Sequence, residues 1–380
     1  MNSLFYFKIN IVALVFLTGC ASTNHNRVNE GSKGIILSNV QCISRVTGST
    51  LPGENLPDLN HTAEKYDVGG TDLGIMWYMG NWKTGIFFGD TYGKDFKTST
   101  KGGGNGSNWR SNVLAFSSDT NLSDGLTIDS MAVDEYGNAR EICAGAKASP
   151  KPYQTSIPTG AIHANGADYV HYMNIYEWSA PKGRWLTNFS SVYESKDGGS
   201  HWHRVEQVTF KSDSKFSQVC YAKRSGYVYM IGTLSGRGSP GYLARFKEQH
   251  ITEVSKYEYW NGRLWIMGDE SVAIPVIDGP VGEASLLYHE KYKRWIITYI
   301  YDFLHDPHPI VKKHALVYRD AKELTGKWSS LKVITTATEY PGLYSPYMHP
   351  LQNDENKLYF TMSEWKPYNV FLMSADIGLN

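Results

Sequence analysis

From Gly74 onward the chain is a succession of short, aromatic, alternating runs, each closed by a turn residue. Gly74–Gly80, Thr84–Gly89, Ala167–Trp178, Tyr227–Thr233, Leu264–Met267, Arg294–Tyr301, Lys357–Met362 and Val370–Ser374 have strand length, and Gly80-Asn81, Asp197-Gly198, Asn261-Gly262 and Asp354-Glu355-Asn356 mark turns. No long segment repeats every 3.6 residues, so the pattern predicts an all-β chain of antiparallel hairpins. Composition agrees: 13% of residues are aromatic, and 36 of 380 are glycine. Thirty-seven basic residues against 37 acidic ones leave no basic excess for nucleic acid.

One motif chooses among β architectures. Ser195-Lys196-Asp197-Gly198-Gly199-Ser200-His201-Trp202 fits Ser-x-Asp-x-Gly-x-x-Trp, an Asp-box, in which the Asp caps a tight hairpin and the Trp packs beneath it. Such boxes occur mostly in propeller blades, away from the active face, so this one is read as structural. Tyr257–Trp265 and Tyr288–Trp295 likewise set a hairpin turn before a Trp strand. At roughly 40 to 70 residues per blade the length suits five to eight blades. The long loop Lys101–Asn108 and the irregular Lys147–Ile157 reduce the expectation to five, with a strand near Gly34–Val40 closing the ring. The expected architecture is a five-bladed β-propeller in one domain, residues 34–380.

The N-terminus reads as a targeting segment. Lys8 precedes an apolar run, Ile9–Leu17, that ends in Leu17-Thr18-Gly19-Cys20, which resembles a bacterial lipobox. Residues 1–19 are expected to be a lipoprotein signal peptide, Cys20 the lipidated residue, and 20–33 a flexible tether. The implied location is the bacterial cell envelope, at the outer membrane if the source is Gram-negative, since Ala21 replaces an inner-membrane Asp. The membrane is reached by the lipid anchor only. Cys42, Cys143 and Cys220 lack metal-ligand spacing and leave room for one disulfide of unspecified pairing.

Two carboxylates stand out. Asp72 opens one apolar strand and Asp90 ends the next, so a hairpin sets both at one rim. Either Asp alone suits a turn. As a pair beside Gly69-Gly70, Tyr92 and Trp109-Arg110 they suit the two-carboxylate chemistry of glycoside hydrolysis. The sequence assigns neither the acid nor the base.

The chain resembles the endo-D-arabinanases of glycoside hydrolase family 183, long described as a domain of unknown function. The resemblance rests on Thr71-Asp72-Leu73-Gly74, Phe88-Gly89-Asp90-Thr91, Trp109–Ala115, Ile157–Gly160, Gly232-Thr233 with Gly236-Arg237, Tyr242–Arg245, Tyr340–Tyr344, Tyr347–Pro350 and Trp365–Val370, in family order from about Val68 to Met373. It departs at Ser345-Pro346, where a small Gly-Ala pair is expected. It implies an endo-acting, five-bladed hydrolase of α-D-arabinofuranosidic linkages, with Asp72 and Asp90 as acid and base and a D-arabinofuranose polysaccharide as partner.

Beside the pair, Arg110 and Asn112 are candidates for binding sugar hydroxyls or holding an Asp ionised, and Glu283 for tuning the acid. His163 and His349 are candidates for hydrogen bonds to a furanose. Tyr92, Trp109, Tyr347 and Trp365 are candidates for sugar-stacking walls, with burial in the core as the alternative for each. His305-Asp306-Pro307-His308-Pro309 reads as a rim loop, and neither a metal nor an organic cofactor is expected. A monomer is expected. Two other readings stay open: a sialidase-like propeller, which needs an arginine triad of which only Arg110 and Arg237 have suitable contexts, and a non-catalytic glycan-binding propeller.

Overall fold

A computed structural model describes residues 34–98, 102–145, 155–178, 183–351 and 354–380. The expected signal peptide, tether and Cys20 lie outside the described residues. Within them the aromatic runs pair as antiparallel strands in five sheets, the five blades of a β-propeller. The one α-helix among the described residues is Thr62–Tyr66, and none is long and apolar enough to cross a membrane.

Blade 1 comprises Leu73–Gly80, Lys83–Phe88, Val113–Ser117 and Ser130–Met131, in that order from the axis outward. Blade 2 comprises Thr155–Ala164, Ala167–Glu177, Leu186–Ser195 and His203–Lys211. Blade 3 is Gln218–Arg224, Tyr227–Thr233 and Ser239–Lys247, extended by Glu258–Trp260, Trp265–Met267 and Pro275–Val281. Blade 4 is Ala284–His289, Arg294–Tyr301, Ala315–Ala321 and Lys332–Thr336. Blade 5 is Leu343–Met348, Lys357–Glu364 and Asn369–Leu379, and its outermost strand is the N-terminal Ile35–Arg45.

That last pairing closes the ring as expected, with Ile35 opposite Leu379 and Arg45 opposite Phe371. The strand is also pinned to blade 4, because its Ile35 N–H donates to Asp320 and its carbonyl accepts from the Tyr318 hydroxyl. Tight turns set the hairpins: Asn81-Trp82, Asn165-Gly166 and Ser225-Gly226 all have positive φ, as two-residue turns matching strand twist require. The core lies in layers between neighbouring blades. Trp77 and Phe87 of blade 1 share one cluster with Ile157 and Tyr172 of blade 2 and Phe360 and Met362 of blade 5. Ile231 and Leu243 of blade 3 share another with Leu286 and Ile297 of blade 4. Cys42, Cys143 and Cys220 are free thiols, so no disulfide joins them.

The Asp-box forms the outer hairpin of blade 2. Asp197 Oδ1 accepts from the Ser200 and His201 backbone N–H groups at 3.1 and 2.9 Å, and Trp202 packs edge-on against Phe87 at 5.5 Å. It follows the end of a strand that runs parallel to the innermost one, which places it on the face of the propeller opposite the starts of the innermost strands, toward the outside of the blade.

Candidate active site

The innermost strands of neighbouring blades touch around the whole ring, so residues at their starts gather at one mouth of the channel. Asp72 precedes the first residue of blade 1, Thr155 begins blade 2, Gln218 begins blade 3, Glu283 precedes blade 4, and Tyr344 is second in blade 5.

Asp72 is aimed by an unusual backbone. Leu73 and Gly74 both adopt left-handed conformations, with φ of 71° and 83°. For a leucine this costs on the order of 1–3 kcal/mol, a strain of the kind that gathers at functional sites. Opposite, the Gly89 N–H donates to the Asp72 carbonyl at 3.1 Å, and a Cβ at Gly89 would fall 2.3 Å from Asp72 Oδ1. Only glycine leaves that carboxyl its place. From blade 5 the Tyr344 hydroxyl donates to Asp72 Oδ2 at 2.9 Å, and the Tyr368 hydroxyl bonds it as well.

Solvent reaches Asp72, yet protein surrounds it on most sides. Loss of water and then the charge of Asp90 raise its pKa from 3.8 to about 8, Glu283 adding to this and the two tyrosine hydroxyls opposing it. Its carboxyl therefore keeps a proton at neutral pH. Asp90 leaves the same hairpin toward blade 2, where its Oδ1 accepts from Trp109 Nε1 at 3.0 Å and from the Thr155 hydroxyl at 2.7 Å. Both partners donate, which suits an ionised carboxylate. Two aspartates at one strand end are thus held by different neighbours, one in an environment that favours the acid and the other in one that favours the base.

Glu283, the third carboxylate, accepts a two-pronged contact from Arg237, with Nε to Oε2 at 2.9 Å and Nη2 to Oε1 at 2.6 Å. Burial works against the Arg237 charge, but Glu283 outweighs it and raises the guanidinium pKa. Arg237 also lies 5.4 Å from the Tyr344 ring, which links the ion pair to the residue that holds Asp72. Around the mouth, Tyr92, Phe96, Tyr368 and Trp365 form an aromatic wall with ring centroids 5.7 to 6.1 Å apart. Trp365 is 47% exposed. Gly102 and Gly103 pack so closely on it that a Cβ on either would overlap its ring.

Of the residues singled out in the sequence, Asp72, Asp90, Glu283, Tyr92, Trp109, Tyr347 and Trp365 come together here. Two take parts other than the stacking wall. Trp109 holds Asp90 through its indole N–H, and Tyr347 is buried beside Glu283 and Asp72, whose charges raise its pKa after the larger effect of burial.

Four others are corrected. Arg110 donates to the carbonyls of Ala139 and Asp67, and the carboxylates acting on it are Asp67, Asp134 and Glu141, not the pair. Asn112 is fully buried, with its carboxamide bonded to backbone groups of Ile142, Cys143 and Ser156. His163 pairs with Asp168 at the far hairpin of blade 2, at 2.9 Å. His349 follows the far end of the innermost strand of blade 5, where burial lowers its pKa to about 4. Each is a polar residue beside a turn whose fold role the local sequence did not reveal.

Tyr344, Tyr368, Phe96 and Thr155 were missed as site residues, and Arg237 was considered only for the sialidase-like reading. Ser345, next to Tyr344, and Tyr368 itself take positive φ, 56° and 51°, where glycine is the ordinary residue, a conformation that only the folded chain reveals.

Residues 58–374 match the family model described as "Domain of unknown function (DUF4185)". The chain belongs to this family. Among curated proteins it is 27% identical over 324 residues to notoamide biosynthesis cluster protein J of an Aspergillus species, a match covering 80% of this chain and 82% of the relative. It is 26% identical over 373 residues to notoamide biosynthesis cluster protein J' of Aspergillus versicolor, covering 94% and 92%. A crystal structure from Bacteroides ovatus has the same fold, with a TM-score of 0.56 at 10% identity, covering 83% of this chain and 87% of that one. The fungal relatives overturn one expectation: the family members matched are Aspergillus proteins, in conflict with the bacterial cell-envelope location inferred from the lipobox-like segment.

Proposed function

We propose that this member of the family is a glycoside hydrolase that cleaves α-D-arabinofuranosidic linkages within D-arabinan-type polysaccharides. One observation carries the reading: two carboxyls share a channel mouth, and burial together with Asp90 keeps Asp72 protonated near neutrality. That division of labour is what glycosidic cleavage requires. Asp72 is the general acid that protonates the leaving oxygen. Asp90, held by Trp109 and Thr155, is the carboxylate that activates water or meets the oxocarbenium-like centre. Glu283 adds negative charge that supports the proton on Asp72, while Arg237 fixes its position. The aromatic wall offers apolar ring faces to the C–H surfaces of sugars.

The choice of D-arabinan comes from the family resemblance, supported by the Asp72, Asp90 and Trp365–Val370 segments meeting at one mouth. The sialidase-like alternative loses support, because Arg110 is committed to backbone carbonyls and Arg237 to Glu283, leaving neither for a sialate carboxylate. A second reading draws on the relatives, which are named for a biosynthesis cluster: the same acid would serve proton transfer to a small molecule. Incubation with D-arabinan, L-arabinan and a sialoside, followed by product chromatography, decides. Oligosaccharides released from D-arabinan alone support the proposal. No release from any of the three favours the second reading.

A further inference from the structure

Most polar groups near the start of blade 3 are satisfied. The Ser217 carbonyl accepts from the Ser190 hydroxyl at 2.8 Å, and the Val219 N–H donates to the Thr159 hydroxyl at 3.3 Å. Gln218, between them, is the exception. It is 4% exposed, and neither its Oε1 nor its Nε2 has a hydrogen-bond partner. Directly opposite in register stands Thr233, 3% exposed, whose hydroxyl is unpartnered as well. An unmade hydrogen bond on a buried donor or acceptor is destabilising, so three such atoms on adjacent strands leave room for a partner that the chain itself does not supply.

Their place in the sheet says where that partner comes from. Gln218 and Thr233 lie on the same blade face as the next such pair, Cys220 and Ile231, which pack in one cluster with Ala284 and Leu286 of blade 4. That face looks toward the strand that Glu283 precedes. The loop leaving Thr233 carries Arg237 to Glu283. The unpartnered atoms thus belong to the mouth that holds Asp72, on the Glu283 side. Their chemistry is neutral: a carboxamide offers one acceptor and two donors, a hydroxyl offers both, and the nearby Arg237 charge is already matched by Glu283.

We infer that Gln218 and Thr233 form a hydroxyl-binding subsite that holds a neutral sugar unit of the glycan by a pair of adjacent hydroxyls. The inference rests on the hydrolase reading and assigns substrate-binding residues to it. A carboxamide matches a vicinal diol with one donated and one accepted bond, and Thr233 supplies a third contact.

The test is Gln218→Leu, close in size and apolar, with Thr233→Val as its companion, each measured for thermal unfolding and for kcat and KM on D-arabinan. A subsite predicts an unfolding temperature unchanged or raised, since an unsatisfied group is removed, with kcat/KM lower by about tenfold, mostly through KM. A structural role predicts the opposite, a lower unfolding temperature, and that result overturns the inference. Full kcat/KM in both variants of an active enzyme sinks the subsite while leaving the hydrolase standing. If the parent protein cleaves L-arabinan instead, only the polymer is wrong, and the same ratios on L-arabinan decide. A parent that cleaves neither polymer removes the hydrolase and the subsite together.

Discussion

Asp72 and Asp197 are the same residue in glycine-rich segments on opposite faces of one propeller, and their pKa values move in opposite directions. Asp197, in solvent, is held below the usual carboxyl range first by the His201 backbone N–H and ring and then by the Ser195 hydroxyl, and it accepts the Ser200 N–H as well. Asp72 has no backbone donor among its pKa-shifting contacts, little water and a second carboxylate nearby, and its pKa rises to about 8. The difference teaches that the turn residue is not what makes an aspartate reactive. The reactive one is deprived of the local backbone donors that satisfy the structural one.

The hardest way to break the comparison is to remove the charges. Asp72→Asn and Asp90→Asn should each leave the fold intact and lower hydrolysis on the order of a thousandfold or more. Full turnover in either variant, with products followed by chromatography, refutes the pair. Asp72→Asn carries a second signature in stability. Unfolded, Asp72 loses its proton near 3.8; folded, it keeps it to about 8. Between those values the folded chain holds the extra proton, so the parent loses stability as pH rises through this window. The Asn variant lacks that loss, and its advantage in unfolding temperature should grow from pH 4 to pH 8.

Gly89→Ala comes next. The added Cβ would meet Asp72 Oδ1 at 2.3 Å, so the carboxyl must move while the hairpin stays paired. Activity should fall by about a hundredfold, as misplacement of a reacting group by around 1 Å does, with a far smaller change in unfolding temperature. An alanine variant with parental kcat/KM would show that the position of Asp72 is not set from Gly89.

Tyr344→Phe sharpens the contrast more gently. The hydroxyl bond from Tyr344 lowers the pKa of Asp72, so its loss should push that pKa further up. If Asp72 is the general acid, the alkaline limb of the rate profile reports its deprotonation, and the limb should move to higher pH in the variant. An unmoved limb, or one that shifts down, assigns the acid elsewhere.

Much of this arrangement was legible in the chain. Strand runs and the Asp-box predicted the five blades, and hairpin geometry placed Asp72 and Asp90 at one rim, because pairing and turns are local effects. The supports of the pair were not legible. Tyr344 is 272 residues from Asp72, and Thr155 is 65 from Asp90, so their contacts exist only once the ring has closed. Arg110 failed for a related reason: its backbone does pair with Thr91, next to Asp90, but its buried guanidinium donates to the carbonyls of Asp67 and Ala139, which lie far from it in sequence.

The smallest effect belongs to the far face, and it completes the comparison. Asp197→Asn keeps one acceptor oxygen for the Ser200 and His201 N–H groups but loses the charge that they and the His201 ring favour. The unfolding temperature should drop slightly, and kcat/KM should stay at the parental level. The sign of the pH dependence is the reverse of that for Asp72. Because the folded pKa of Asp197 is depressed, its contribution is present above the ordinary carboxyl range and is lost as pH falls through and below it. The gap between parent and variant should therefore narrow on acidification. A variant that unfolds like its parent at pH 7 yet loses hydrolysis would place chemistry at the Asp-box and reverse the assignment of the two faces.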